Sequence, residues 1–361
     1  MGNPDLPTPQ NIVDKLCEAV QDPRAHRYSS SKGIPGLRRA QAQYYARRFG
    51  VKLNPDTQVV ATLGSKEGFA NMAQAITAPG DVVLCPDPTY PIHSFGFIMS
   101  GGVIRSIQAK PDDSFIPALE RGVKHSIPKP IALILNFPSN PTAYVATLDF
   151  YKDVVAFAHK HDIVILSDLA YSEIYFDGNP PPSVLEVPGA MDVAVEFTSM
   201  SKTFSMPGWR MGFAVGNERL IAALTRVKSY LDYGAFTPIQ VAATAALNGD
   251  GSDIAYVRDV YKQRRDVLVE SFGRAGWDVP RRQRRCLPGF RFRNASALWA
   301  RWNSPSFWWK WPMWPLLRAS ALANTAMIMC VSPWSKTNIA FVRRRATSSA
   351  SSPPRMRICT M

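Results

Sequence analysis

Acidic residues are missing from the last part of this chain. Residues 281–361 contain 15 Lys and Arg and neither Asp nor Glu, while residues 1–280 hold the other 27 of the 42 basic residues and all 28 acidic ones. The formal charge of +14 therefore belongs to the tail. The body is near neutral, which removes the nucleic-acid or anionic-membrane partner that a basic balance would otherwise imply. Long apolar runs are also missing; none approaches the ~20 residues that span a bilayer. No signal-peptide pattern is seen, and "MGNPDL" lacks the Ser or Thr of a myristoylation signal. Cysteines are few: Cys17, Cys85, Cys286, Cys330 and Cys359, with no paired or metal-ligand spacing. That excludes a disulfide framework and a cysteine-metal site, so free thiols in a reducing compartment are expected. A cytoplasmic location is the default expectation.

What is present begins with alternation. "TQVVATLG" reads as a strand and is followed by the helix "SKEGFANMAQAI". Then come "DVVLCPDP", "GGVIRSI", "PIALILNFP", "DIVILSDLA", "VAVEFTSMS" and "MGFAVGN", with helical stretches such as "LDFYKDVVAFAHKH" among them. The runs are nearly continuous in Val, Ile and Leu, as in strands buried on both faces. The pattern predicts an α/β fold with a mostly parallel central sheet, whose ligands bind beyond the carboxyl ends of the strands.

Those ends carry an unusual set of residues. "IALILNFP" leads to Asn140, "IVILS" to Asp168 with Tyr171 three residues on, and "VAVEFTSMS" to Lys202, with Arg210 eight residues later. "VVATL" leads to Gly64-Ser65-Lys66 at the start of a helix. Each has an ordinary reading: a solvated lysine, an Asp or Gly-Ser helix cap, an Asn-Pro turn. Together, in this order, they form a pattern. "SMSKTFSMPGWRMGF", with "MGNPDLPTP", "YSSSKGIPGLRRA", "PDPTYPIH" and "SDLAYSEIYFDG", resembles the pyridoxal-phosphate-dependent aminotransferases of fold type I, class I/II, the aspartate aminotransferase-like group. Within that group it looks closest to alanine- and diaminopimelate-type members. The resemblance covers roughly residues 1–280.

The resemblance implies pyridoxal 5'-phosphate held as a Schiff base on Lys202, whose amine also moves the proton between the substrate Cα and the cofactor. Asp168 would keep the pyridine nitrogen protonated, so that the ring acts as an electron sink. Asn140 and Tyr171 would hydrogen-bond the phenolic oxygen, and Tyr90 would stack on the ring. Gly64, Ser65 and Lys66 would receive the phosphate at a helix N-terminus, with Ser199, Ser201 and Arg210 completing the cradle. Tyr28 would reach the phosphate of a neighbouring subunit, which implies a homodimer. Gly2 and Asn3, with Asn140, would lie near the substrate. The implied activity transfers an amino group between an amino acid, alanine or glutamate, and a 2-oxo acid. Nucleic acid, membrane and metal play no part in it. A lyase, a diaminopimelate aminotransferase and a non-catalytic cofactor-binding remnant stay open as alternatives.

The expected division is residues 1–14 as a remnant of an N-terminal segment, 15–250 as the large cofactor-binding domain, 251–280 as a connecting helix, and 281–361 as an aberrant tail. Met1 falls inside the family's "MGNPD" stretch, so the chain is expected to start within the family's sequence. The family's small C-terminal domain, which supplies an arginine for the substrate α-carboxylate, is missing or scrambled. In its place stands "SPSFWWKWPMWPLLRAS", and the tail holds seven of the nine tryptophans. Stacking on single-stranded nucleic acid or a membrane interface are two readings of it, but "WWKWPMWP" has no amphipathic period and is cut by prolines. Trp and Met have one codon each, so this stretch largely fixes its own nucleotides. Shifted by one base it can encode "FAKLLVEMADVA", a helix leading into a strand, and an arginine codon straddles Cys330 and Val331. A one-base frameshift close to Pro280 is the expectation.

Overall fold

The computed structural model describes residues 4–274. Eleven α-helices and seven strands alternate along them. The order is α1 (Gln10–Val20), α2 (Pro35–Phe49), β1 (Val59–Thr62), α3 (Ser65–Ile76), β2 (Val82–Asp87), α4 (Pro91–Met99), β3 (Val103–Gln108), α5 (Phe115–Lys124), β4 (Ala132–Asn136), α6 (Leu148–His161) and β5 (Val164–Asp168). It continues with α7 (Ala190–Val193), β6 (Ala194–Ser199), α8 (Met200–Thr203), β7 (Gly212–Gly216), α9 (Glu218–Leu231), α10 (Thr237–Asn248) and α11 (Ser252–Arg274). The strands form one sheet in the order β1-β7-β6-β5-β4-β2-β3, and only β7 runs against its neighbours.

Side chains of a strand alternate between faces, and here both faces are covered in every strand but β3, which lies at the sheet edge and is mostly exposed, against the expectation of double burial for "GGVIRSI". Val59, Ala61, Leu133, Leu135, Phe213 and Val215 enter the larger core with α2, α5, α6 and α10. Val60, Ile134, Val195, Phe197 and Ala214 enter a second core with α3, α4 and α9. Continuous apolar runs in the sequence follow from this double burial. Local signals fix the helix ends. Pro35 opens α2 and Gly50 closes it at φ 68°; Thr147 caps α6 by accepting from Phe150 N–H, as short hydroxyl side chains do at this position.

The boundary expected between residues 14 and 15 falls inside α1. Ile12 is buried in the larger core, because the apolar side of α1 lies against α10. The first helix is thus packed with the body. Gly2, Asn3 and the tail 281–361 lie outside the described residues. Among the described residues, no helix is long and apolar enough to cross a membrane, and Cys17 and Cys85 are free thiols.

Candidate active site

Four neighbouring strands, β4, β5, β6 and β7, bring the site together at one edge. Asp168 ends β5, in register with Asn136 on β4 and Phe197 on β6. It is buried, and its two oxygens are engaged separately: Oδ1 accepts from Ala170 N–H at 3.1 Å, and Oδ2 lies 2.9 Å from His93 Nε2. A carboxylate only accepts, so Nε2 carries the hydrogen, and Nδ1 is hydrogen-bonded to the Thr89 hydroxyl at 2.7 Å. His93 is fully buried, packed edge-on to Tyr90 and tilted against Phe69. The relay Thr89–His93–Asp168 thus orients the carboxylate. Sequence reasoning gave His93 no role, although it follows Tyr90 by three positions in the first turn of α4 and so stands near it.

Lys202 lies in the single turn of α8 directly after β6, half-buried. Ser199 caps that turn by accepting from Ser201 N–H at 3.2 Å, and both serines are buried. Asn140, past the end of β4, is half-buried, and its carbonyl accepts from Asn136 Nδ2 at 3.1 Å. The Tyr171 ring packs with Ile174, Phe176 and Val257 of α11.

The start of α3 is shaped for an anion. Its N-cap is Gly64, at φ 88° and with no side chain to satisfy the first amides, which leaves the helix's positive end open to a ligand. Arg210 lies across it, donating from Nη2 to Leu63 C=O and from Nη1 to Pro207 C=O, both at 2.9 Å. A Cβ at Gly64 would come within 2.4 Å of Arg210 Nη2, so a side chain there would displace the guanidinium, and φ 88° itself favours glycine. Gly212 is equally confined: its Cβ would meet Gly64 Cα and Ser65 N at 2.9 Å. Among the described residues no carboxylate pairs with Arg210. A guanidinium has five N–H donors, and two carbonyls leave capacity for an anionic ligand.

The halves of the site meet at Tyr90. Burial pushes its phenol up, the Asp168 carboxylate adds to that, and the Arg210 guanidinium opposes it. Two expected members stand apart. The Lys66 side chain is exposed, so only its backbone is at the helix start. Tyr28 is 84% exposed and stacks on Tyr233 at 4.4 Å on the outer surface. No group of three or more His, Cys, Asp and Glu among the described residues could hold a metal.

An open helix N-terminus with a carboxylate-free arginine, a buried carboxylate at the end of β5, and a lysine in the turn just past β6 make up the kind of site that a phosphorylated pyridine aldehyde requires. Comparisons with known proteins give the family. The family model of aminotransferase class I and II matches residues 1–345, and the chain belongs to that family of pyridoxal-phosphate enzymes. It is 87% identical over 280 residues to a putative aminotransferase, AatC, of Rhizobium meliloti, covering 78% of this chain and 69% of that protein. It is 46% identical over 333 residues to the glutamate-pyruvate aminotransferase AlaC of Escherichia coli, covering 92% and 77%. Its fold is similar to that of apo-BacF from Bacillus subtilis, with a TM-score of 0.76, 37% identity, and coverage of 80% and 77%.

Proposed function

We propose that this aminotransferase exchanges the amino group of alanine or glutamate with a 2-oxo acid, using the residues gathered at the ends of β4–β6. The name of the Escherichia coli relative, a glutamate-pyruvate aminotransferase, supports that substrate pair. The observation that carries the reading is Arg210, lying without a carboxylate partner across the open start of α3, beside the strand ends that lead to Asp168 and Lys202.

Pyridoxal phosphate, when bound, supplies an aldehyde that condenses with amines and a protonated ring that withdraws electrons. Lys202 would hold the cofactor through its amine and would serve as the group that moves a proton at the substrate Cα. Asp168, oriented by His93, would keep the pyridine nitrogen protonated. Tyr171 and Asn140 would be hydrogen-bond partners for the phenolic oxygen, and Tyr90 would be the aromatic partner of the ring. Gly64, Ser65 and Lys66 bind the phosphate through backbone N–H groups, with Ser199, Ser201 and Arg210 as side-chain donors. Gly2 and Asn3, outside the described residues, would serve the substrate as the family resemblance implies. Tyr28 completes the site of a second copy in a homodimer. An exposed group of Tyr28, Tyr230, Leu231 and Tyr233 supports that reading, because such a patch marks an interface. The enzyme works in the cytoplasm.

Absorbance tests the function. The full chain with pyridoxal phosphate develops a band in the range of about 400–430 nm. Alanine or glutamate removes it, and a 2-oxo acid restores it. A band indifferent to both amino acids contradicts the proposed reaction and leaves a cofactor-binding protein without transamination.

A further inference from the structure

Lys228, on α9, is fully buried, a place lysine occupies only with partners. Its Nζ lies 2.9 Å from Glu67 Oε1 and 2.8 Å from Asp232 Oδ2. The two carboxylates belong to different parts of the site. Glu67 is the third residue of α3, and its Oε2 accepts from Leu63 N–H at 2.8 Å. Leu63 precedes Gly64, and its carbonyl is one of the two that hold Arg210. Asn71 Nδ2 also donates to Glu67 Oε1. Asp232 Oδ1 accepts from Gly234 N–H at 2.6 Å, in the turn whose Tyr233 stacks on Tyr28. That turn is fitted closely to the chain before it: a Cβ at Gly234 would come within 2.2 Å of Ser30 O.

Glu67 presents an electrostatic problem. Its carboxylate stands in the first turn of the helix whose start is open to an anion, and both negative groups draw on the same helix dipole. Like charges drawn to the same helix end repel each other. Glu67 is nevertheless useful there, because it satisfies Leu63 N–H and so fixes the loop that carries Gly64. A cation that cannot swing into solvent resolves the conflict. Lys228 is such a cation, since two carboxylates and complete burial hold it.

We propose that Lys228 is a positioning residue for the cofactor phosphate: it neutralises Glu67, so that the phosphate loop keeps its shape without repelling the phosphate, and through Asp232 it ties that loop to the turn beside Tyr28. This rests on the reading of the α3 start as the phosphate site. An ordinary buried ion pair would only stabilise the fold, and the two roles separate experimentally.

The probes are pyridoxal phosphate and pyridoxal, which share the ring and aldehyde and differ in the phosphate. In the full chain, Lys228→Met weakens pyridoxal phosphate binding by about tenfold or more, a difference of about 1.4 kcal/mol or more, and leaves pyridoxal binding within about twofold. Adding Glu67→Gln to Lys228→Met restores most of the lost preference for the phosphorylated ligand, because the uncompensated charge is gone. Leaving two partly buried carboxylates without their cation can prevent Lys228→Met from folding, which circular dichroism would reveal. In that event Glu67→Gln alone decides: it keeps or raises the preference for the phosphorylated ligand. Equal losses for both ligands in Lys228→Met or in Glu67→Gln, or no restoration in the double variant, overturn the proposal. An unaltered chain that takes up neither ligand overturns the phosphate-site reading itself; one that binds both, beside a variant with an unchanged ratio, overturns only the Lys228 assignment.

Discussion

Asp168 and Glu196 are buried carboxylates on adjacent strands with opposite handling. Asp168 has an imidazole donor and a backbone N–H. Removing the donor with His93→Leu leaves Oδ2 without its partner; kcat is expected to fall about tenfold, the order of one lost hydrogen bond to a charged group, and steady-state kinetics with alanine checks it. Glu196 is wholly buried, with hydroxyls of Ser183, Tyr45 and Ser167 and Val184 N–H around it. Burial pushes its carboxyl up to about 7, and those hydrogen bonds only partly oppose the shift. Between the ordinary glutamate value and about 7, the folded chain holds a proton that the unfolded chain has released. Glu196 therefore favours folding less as pH rises through that window, by up to about 3 kcal/mol at 1.36 kcal/mol per unit. Urea unfolding at pH 5 and pH 8 measures it, and Glu196→Gln is expected to flatten this part of the profile. Asp168, Lys202 and Arg210 are legible in the sequence because each stands at a short, recognisable strand end. His93, Glu196 and Lys228 are not, because their meaning depends on partners far along the chain: His93 meets Asp168 across 75 positions, and Lys228 meets Glu67 across 161.

At the scale of elements, α11 is anchored to the segment after β5 that carries Tyr171. Glu173 is buried between Tyr44 O–H at 2.6 Å, Arg48 Nε at 3.0 Å and Arg258 Nη2 at 3.0 Å, and Arg258 lies 3.8 Å from the centre of the Tyr175 ring. About two helical turns further on, Arg265 forks onto Asp177 with bonds of 2.7 and 3.2 Å. Glu173→Ala leaves two guanidinium groups without their shared carboxylate, and a loss of about 3–5 kcal/mol is expected, read from the urea midpoint at constant slope. The seven strands and the helices α3 and α6 are legible as apolar runs and periodic stretches bounded by Gly, Pro and Thr. The reversed direction of β7 is not, since the run Gly212–Gly216 is apolar on both faces whichever way it points. The place of α1 is hidden for a similar reason, because Ile12 is buried only by contact with an element at the other end of the body.

For the molecule as a whole, the charge division at residue 280 sets a near-neutral body carrying every site residue beside a basic tail without acids. A one-base shift near Pro280 remains our proposal for that contrast. Sequencing the gene across the junction is expected to show the shift, whereas an intact protein mass equal to that of the 361 residues in a gene whose frame is unbroken would contradict it. Such a tail leaves the cofactor residues, all within the body, in place, so the central claim is tested on the full chain. The chain is incubated with pyridoxal phosphate, reduced with borohydride, digested and sequenced by mass spectrometry. A single pyridoxyl group on Lys202, lost in Lys202→Ala and prevented by prior incubation with excess alanine, is the expected result. Label spread over surface lysines such as Lys66 and unchanged by Lys202→Ala would contradict the account.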